Sequence, residues 1–121
     1  MAEFVKFSVP EDLKSRQAMV LERVRKSGKI KIGSNEATKA AERGNAKLIL
    51  IAEDVSPPEI VMHLPMVCKE KNIPYSYVST KIELGKMVGI QLGAAALAVL
   101  DEGDSKKEMA DLAKKLQEIA K

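Results

Sequence analysis

Tryptophan is absent, and only 3% of the 121 residues are aromatic. A protein that stacks bases on an aromatic platform needs more π surface than that, which argues against this mode of nucleic-acid binding. The core must be built from Ile, Leu, Val, Ala and Met. Cysteine occurs once, as Cys68, so an intrachain disulfide is excluded. Its apolar neighbour Val67 suits a reduced, buried thiol, the usage of a cytosolic protein. His63 is the only histidine, which leaves no second imidazole for a metal site. No apolar run approaches the roughly 20 residues that a membrane-crossing helix needs. The start, Met1-Ala2-Glu3-Phe4, lacks the charged and apolar regions of an export signal. These absences predict a cytoplasmic chain with no membrane association, no metal and no cofactor.

What is present is ordinary for a globular protein: 45% hydrophobic and 31% charged residues. A chain of this length accommodates one core, so residues 1–121 are read as a single domain. The net charge of +3 favours an anionic partner but identifies none, because steering depends on how charge is clustered.

After a short extended lead, Pro10-Glu11-Asp12 opens a helical pattern carrying Leu13, Val20, Leu21 and Val24, and Ser27-Gly28 closes it. Lys29-Ile30-Lys31-Ile32 alternates like a strand with one wet face. A second helix is expected from about Asn35 to Gly44, with Ala37, Ala40 and Ala41 on its inner side and Lys39 and Arg43 on its outer side. Leu48 to Ala52 is an unbroken apolar run, as in a strand covered on both faces. A helix from Pro57 to about Lys71, a strand from Tyr75 to Ser79, a short helix from Ile82 to Val88 and a strand from Ala94 to Leu100 follow. From Ser105, the residues Met109, Leu112, Ala113, Leu116, Ile119 and Ala120 form one apolar stripe. Alternating helices and strands predict an α/β fold, a three-layer α/β/α sandwich with a mixed sheet of about four strands.

Three segments have residues that could carry chemistry. Gly33 to Gly44 gathers an amide, a carboxylate and two cations at the start and outer face of one helix. A helix start attracts phosphate, and Asn35 with Glu36 could meet base edges, the carboxylate suiting the N–H edge of guanine. The plainer reading, which spacing alone leaves open, makes Asn35 a helix cap and Glu36 a complement to the helix dipole. Gly89-Ile90-Gln91-Leu92-Gly93-Ala94 places apolar residues where loops are usually polar; it either covers an unstacked nucleotide or is a buried connection. Glu53-Asp54 follows the apolar strand, where α/β enzymes often hold an acid, although Asp54 and Ser56 also suit a turn. No dinucleotide fingerprint or P-loop occurs, since Leu84-Gly85-Lys86-Met87 lacks the necessary glycine and hydroxyl. The chain is therefore read as a non-enzyme. The rivals are a metal-dependent hydrolase using Glu53-Asp54 and a protein-interaction module exposing Met62, Met66 and Val67.

The run Gly33-Ser34-Asn35-Glu36-Ala37-Thr38-Lys39, with Glu42-Arg43-Gly44 and Ile51-Ala52-Glu53-Asp54, resembles the signature of the L-seven-Ae ribosomal family. The likeness continues through His63-Leu64-Pro65, Cys68, Asn72-Ile73-Pro74-Tyr75, Lys81, Leu84-Gly85-Lys86 and Gly89, and spans about Val5 to Gly103. The resemblance implies recognition of the kink-turn, an RNA internal loop with a three-nucleotide bulge beside tandem sheared G·A pairs. It implies that Gly33, Asn35, Glu36 and Lys39 meet the G·A pairs, that Ile60 and Lys81 flank the flipped bulge nucleotide, and that the loop Ile90, Gln91, Leu92, Gly93, Ala94 and Ala95 closes over it. Arg43 and Lys86 are supporting candidates. Many relatives place Arg-Pro where this chain has Gln91-Leu92, which bears on bulge-nucleotide preference. Archaeal members of the family are large-subunit ribosomal proteins. The implied partners are ribosomal RNA, box C/D and H/ACA guide RNAs, ribonuclease P RNA and other guide-particle core proteins, with a monomer expected when free.

Overall fold

The computed structural model describes residues 4–120. Met1 to Glu3, part of the start in which no export signal was read, lie outside the described residues. The elements are α1 (Glu11–Ser27), β1 (Lys29–Ile32), α2 (Ser34–Arg43), β2 (Leu48–Ala52), α3 (Leu64–Lys71), β3 (Tyr75–Val78), α4 (Lys81–Met87), β4 (Ala96–Asp101) and α5 (Lys106–Ile119). Short 3-10 turns at Pro58–Ile60 and Gly103–Ser105 precede α3 and α5.

The strands form one mixed sheet in the order β1-β4-β2-β3. β4 is antiparallel to both β1 and β2, and β3 is parallel to β2 across the crossover that contains α3. β1, β2 and β3 therefore run in one direction and β4 in the other. β2 is buried at every position, as its unbroken apolar run requires in an interior strand of a sheet covered on both faces. The helices fall into two groups, α1 packing against α4 and α5 and α2 against α3, which gives the three-layer sandwich. Ala37, Ala40 and Ala41 bring α2 close to β4, because a methyl group holds two backbones apart less than any longer side chain. Met109, Leu112 and Leu116 bury the inner face of α5.

All four aromatic residues gather where the N-terminal lead crosses β3, so none is left on the surface as a stacking platform. Tyr77 Oη donates to the carbonyl of Phe4 (2.6 Å) and accepts from the Lys6 amide (3.0 Å). The Phe7 ring lies 5.5 Å from that of Tyr75 and 5.1 Å from that of Tyr77, in tilted and edge-on arrangements that aromatic quadrupoles favour. Gln17 of α1 donates to the Tyr77 carbonyl and accepts from the Ser76 hydroxyl, so a buried amide joins α1 to β3 with its polar groups paired.

Five sequence expectations are corrected. The helix expected from Pro57 to Lys71 is a 3-10 turn followed by a separate α3, and His63 sits at the N-cap of α3 instead of inside a helix. Pro65 explains the break: within a helix running from Pro57 it would lack an amide to donate and its ring would collide with the preceding turn, whereas the first turn of a new helix tolerates both. β1 does not hide its apolar side fully, since it is an edge strand and Ile32 is 38% exposed. β4 begins at Ala96, two residues later than expected, and ends at Asp101. The short helix and β3 end one residue earlier than read, at Met87 and Val78.

Cys68 is buried against the core, and this burial pushes its thiol up to about 12. At pH 8 only about one thiol in ten thousand is then ionised, too few for appreciable attack on a maleimide. Mass spectrometry should find the folded protein unmodified and the urea-unfolded protein labelled. The unfolded thiol also releases its proton before the folded one does, so this group should destabilise the fold as pH rises from about 9 towards 12. Rapid labelling of the native protein at pH 8 would contradict the buried placement.

Candidate nucleic-acid interface

One edge of the sheet collects the ends of β1, β2 and β3 and the beginning of β4. The Gly33 amide donates to the Ala96 carbonyl (2.8 Å), the Ala52 amide to the Ala95 carbonyl (2.9 Å) and the Glu53 amide to the Val78 carbonyl (2.9 Å). These bonds join four chain segments that are distant in sequence: the start of α2, the turn ending at Ile60, the start of α4 and the loop from Gly89 to Ala95.

Gly33 is the N-cap of α2, with φ +114, a conformation that side-chain-bearing residues rarely adopt. A Cβ placed on it would meet nothing within 4 Å, so the space in front of this backbone is open to an approaching ligand. α2 has no side-chain cap, which leaves the amides of its first turn directed at the same space with the positive end of the helix dipole behind them. The capping reading of Asn35 is thereby corrected: Asn35 is the second residue of the helix, is exposed and caps nothing. Glu36, Lys39 and Arg43 follow at spacings that place them along one face of α2. Glu36 and Lys39 approach to 3.7 Å across partly exposed side chains, a weak solvent-screened pair that a ligand can exchange for its own contacts. Arg43 lies at the far end of α2, about 10 Å along the axis from Glu36 at 1.5 Å rise per residue.

Thr38 holds the second segment against α2. Its hydroxyl donates to the Ser34 carbonyl (2.7 Å) and, with its one proton committed, accepts from His63 Nε2 (2.7 Å). The lone histidine thus joins α2 to the start of α3, three residues after Ile60, which is 39% exposed. At the start of α4, Asp54 Oδ1 accepts from the Lys81 amide (2.8 Å) and Thr80 Oγ1 from the Glu83 amide (3.1 Å). Asp54 is therefore a cap that ties the end of β2 to α4, and the described residues contain no group of three or more His, Cys, Asp or Glu that could hold a metal ion.

The fourth segment lies on α4. The Ile90 amide donates to the Gly85 carbonyl and the Ala94 amide to the Lys81 carbonyl, and the Leu92 carbonyl rests on Gly85. The loop's residues consequently differ in exposure. Ile90 packs partly on the core, Ala94 is buried and Ala95 is half-buried, whereas Gln91 and Gly93 are exposed and Leu92 is 77% exposed. Lys86 is set apart from α2: it lines the groove between α1 and α4 with Ala18, Glu22 and Arg25. Met62 and Met66 are exposed on the α3 side, while Val67 packs partly on the core.

Comparison with known proteins gives this arrangement a family. Residues 16–109 match the model of the Ribosomal protein L7Ae/L30e/S12e/Gadd45 family. The chain belongs to that family. Among solved structures it is similar to one titled "Giardia lamblia 15.5kD RNA binding protein", with a TM-score of 0.87 and 27% sequence identity over 98% of this chain and 99% of that one. The likeness extends over the α/β sandwich with its four-stranded mixed sheet.

Sequence reasoning missed the residues that build this edge of the sheet without presenting chemistry of their own. Thr38 and His63 carried no visible mutual signal, since they are 25 positions apart. Gly85 was visible only as part of a short glycine-lysine run, yet a Cβ there would lie 2.1 Å from the Leu92 carbonyl oxygen and 3.3 Å from Ile90 Cγ1. Gly85→Ala should therefore displace the loop and cost about 1–3 kcal/mol, as overpacked sites do. Urea unfolding at neutral pH measures this, and an unchanged unfolding free energy would show that the loop yields freely.

Proposed function

We propose that this chain is an RNA-binding protein, a single kink-turn-recognising domain that favours the bent RNA and serves as an assembly platform. The observation that carries the reading is the convergence of Gly33, Asn35, Glu36 and Lys39 with Ile60, Lys81 and the Leu92 loop on one edge of the sheet. Such an edge matches the two parts of a kink-turn, an amide and carboxylate for the G·A base edges and an apolar, glycine-bounded loop for the extruded nucleotide. Lys39, Arg43 and Lys81 supply positive charge for phosphates, whereas Lys86 stands apart in the groove between α1 and α4. Family membership and the titled relative support RNA as the partner.

In this reading Asn35 and Glu36 contact base edges and Lys39 a guanine edge or nearby phosphate. Gly33 admits the RNA backbone, while Ile60, Lys81 and the segment Ile90, Gln91, Leu92, Gly93, Ala94 and Ala95 enclose the bulge. Ala94 contributes through its backbone, because its side chain is buried. The RNA exchanges between open and kinked forms, and preferential binding to the kinked form shifts the population towards it. The host particles proposed are the large ribosomal subunit, box C/D and H/ACA guide particles and ribonuclease P, assembled with other guide-particle core proteins in the cytoplasm of an archaeal cell. The protein supplies RNA geometry and no catalytic group.

Titration of a kink-turn RNA beside the same RNA with its tandem G·A pairs changed to Watson–Crick pairs tests the reading. Strong preference for the intact motif is expected, and equal binding would reduce the interaction to general cationic affinity. Glu36→Ala should weaken intact-RNA binding by about 1–3 kcal/mol and erode the preference. Full retention of the preference would remove Glu36 from the reading residues. Affinity should also fall with salt, with a log–log slope of roughly −0.7 to −0.9 per neutralised phosphate. Salt-independent affinity would contradict phosphate contacts.

A further inference from the structure

The loop from Gly89 to Ala95 is held on α4 at Gly85 and Lys81, but its first residue meets a different element. A Cβ on Gly89 would lie 2.0 Å from Arg25 Nη1 and 3.0 Å from Cζ, so the guanidinium of this α1 residue already fills the space a side chain would take. Gly89 also has φ +78, and its amide donates to the Lys86 carbonyl (3.1 Å). It is thus the hinge at which the chain leaves α4 and turns back towards β4. Arg25 forms no ion pair within 4 Å among the described residues, although Glu22 and Lys86 line the same groove. Its contact with the hinge is therefore not a by-product of pairing with a carboxylate. A planar cation suits this place on two counts: it can lie flat against a glycine, and it complements the negative C-terminal end of α4.

We infer that Arg25 is a positioning residue of the proposed RNA site, clamping the hinge at Gly89 so that the loop presents Leu92 in a fixed position. The inference rests on the loop's being part of that site, while the clamp itself belongs to the free protein. With the hinge held by Arg25, Ile90 bonded to Gly85 and Ala94 bonded to Lys81, the most exposed apolar side chain of the loop stands on a segment fixed at both ends. Order of this kind before binding lowers the entropy that the RNA complex must otherwise lose. The clamp also brings α1, which has no residue at the sheet edge described above, into control of the loop.

Arg25→Ala removes the clamp, and Arg25→Lys keeps the charge without the planar surface. Arg25 is exposed, so both variants are expected to fold. Amide hydrogen exchange of the free protein should be faster than wild type in both at Gly89, Ile90 and Ala94, the loop amides that donate hydrogen bonds. Unchanged exchange would overturn the clamp whatever RNA does. Binding should be measured with a kink-turn RNA and with the same RNA lacking the base of its bulge nucleotide. Both variants should weaken binding to the intact RNA roughly three- to ten-fold and leave the abasic RNA nearly unaffected, a coupling typical of groups in contact. The salt slope should stay at the wild-type value. Equal weakening for both RNAs, or a slope reduced in magnitude by about 0.7–0.9, would make Arg25 a direct phosphate ligand and overturn the positioning role. If the wild-type protein does not prefer the intact motif over its G·A-disrupted form, the functional reading fails separately, and exchange still decides the clamp.

Discussion

β4 enters the sheet between β1 and β2 and runs against both of them, and the geometry of the candidate interface depends on that direction. Because β1, β2 and β3 run the other way, their C-terminal ends share an edge with the beginning of β4. Each of the three strands then launches its own element from that edge: α2, the turn ending at Ile60, and α4. The loop before β4 must arrive at the same place. A parallel β4 would have carried this loop to the opposite edge of the sheet, away from Glu36 and Lys39. The hydrogen bonds from Gly33 to Ala96, from Ala52 to Ala95 and from Glu53 to Val78 hold the four segments in register. Sheet pairing, a matter of backbone chemistry, thus sets the distances at which side chains from separate elements can act together.

The second constraint is closeness. The loop before β4 lies directly on α4 because Gly85 has no side chain to hold it away, and it turns at Gly89, whose φ of +78 favours glycine and beside which the Arg25 guanidinium occupies the space a side chain would take. This seating divides the loop's apolar residues. Ile90 turns partly into the core and becomes an anchor, while Leu92 stands in solvent. Exposure of a large aliphatic group on an anchored loop is unfavourable by itself, and covering it on binding would recover that cost.

Much of the fold was legible from periodicity. The apolar run of β2, the stripe of α5 and the small inner face of α2 are each imposed by local sequence and survive in the structure with small changes of boundary. The false third helix shows where that logic stops. Apolar spacing continues across Pro57 to Lys71, but the proline at 65 permits a helix only if one begins there. Ile32 misled for a different reason: alternation predicts two faces, and whether a face is covered depends on the neighbours of the strand.

For the candidate site, the sequence by itself determined which chemical groups exist and, through the Gly33 to Lys39 run, which family they resemble. It also excluded an intrachain disulfide and a histidine metal cluster, because the residues required are not there. Only the tertiary structure decided that Asn35 is an exposed helix residue and not a cap, that Asp54 caps α4, that Ala94 is buried and that Lys86 faces α1. The reason is the range of the interactions. Helix and strand periodicity is written within a few residues, whereas the Thr38–His63 bond, the Asp54–Lys81 cap and the seating of Arg25 on Gly89 join residues 25 or more positions apart. Nothing local to either partner specifies such a contact, and it exists only once the antiparallel β4 has drawn the segments together.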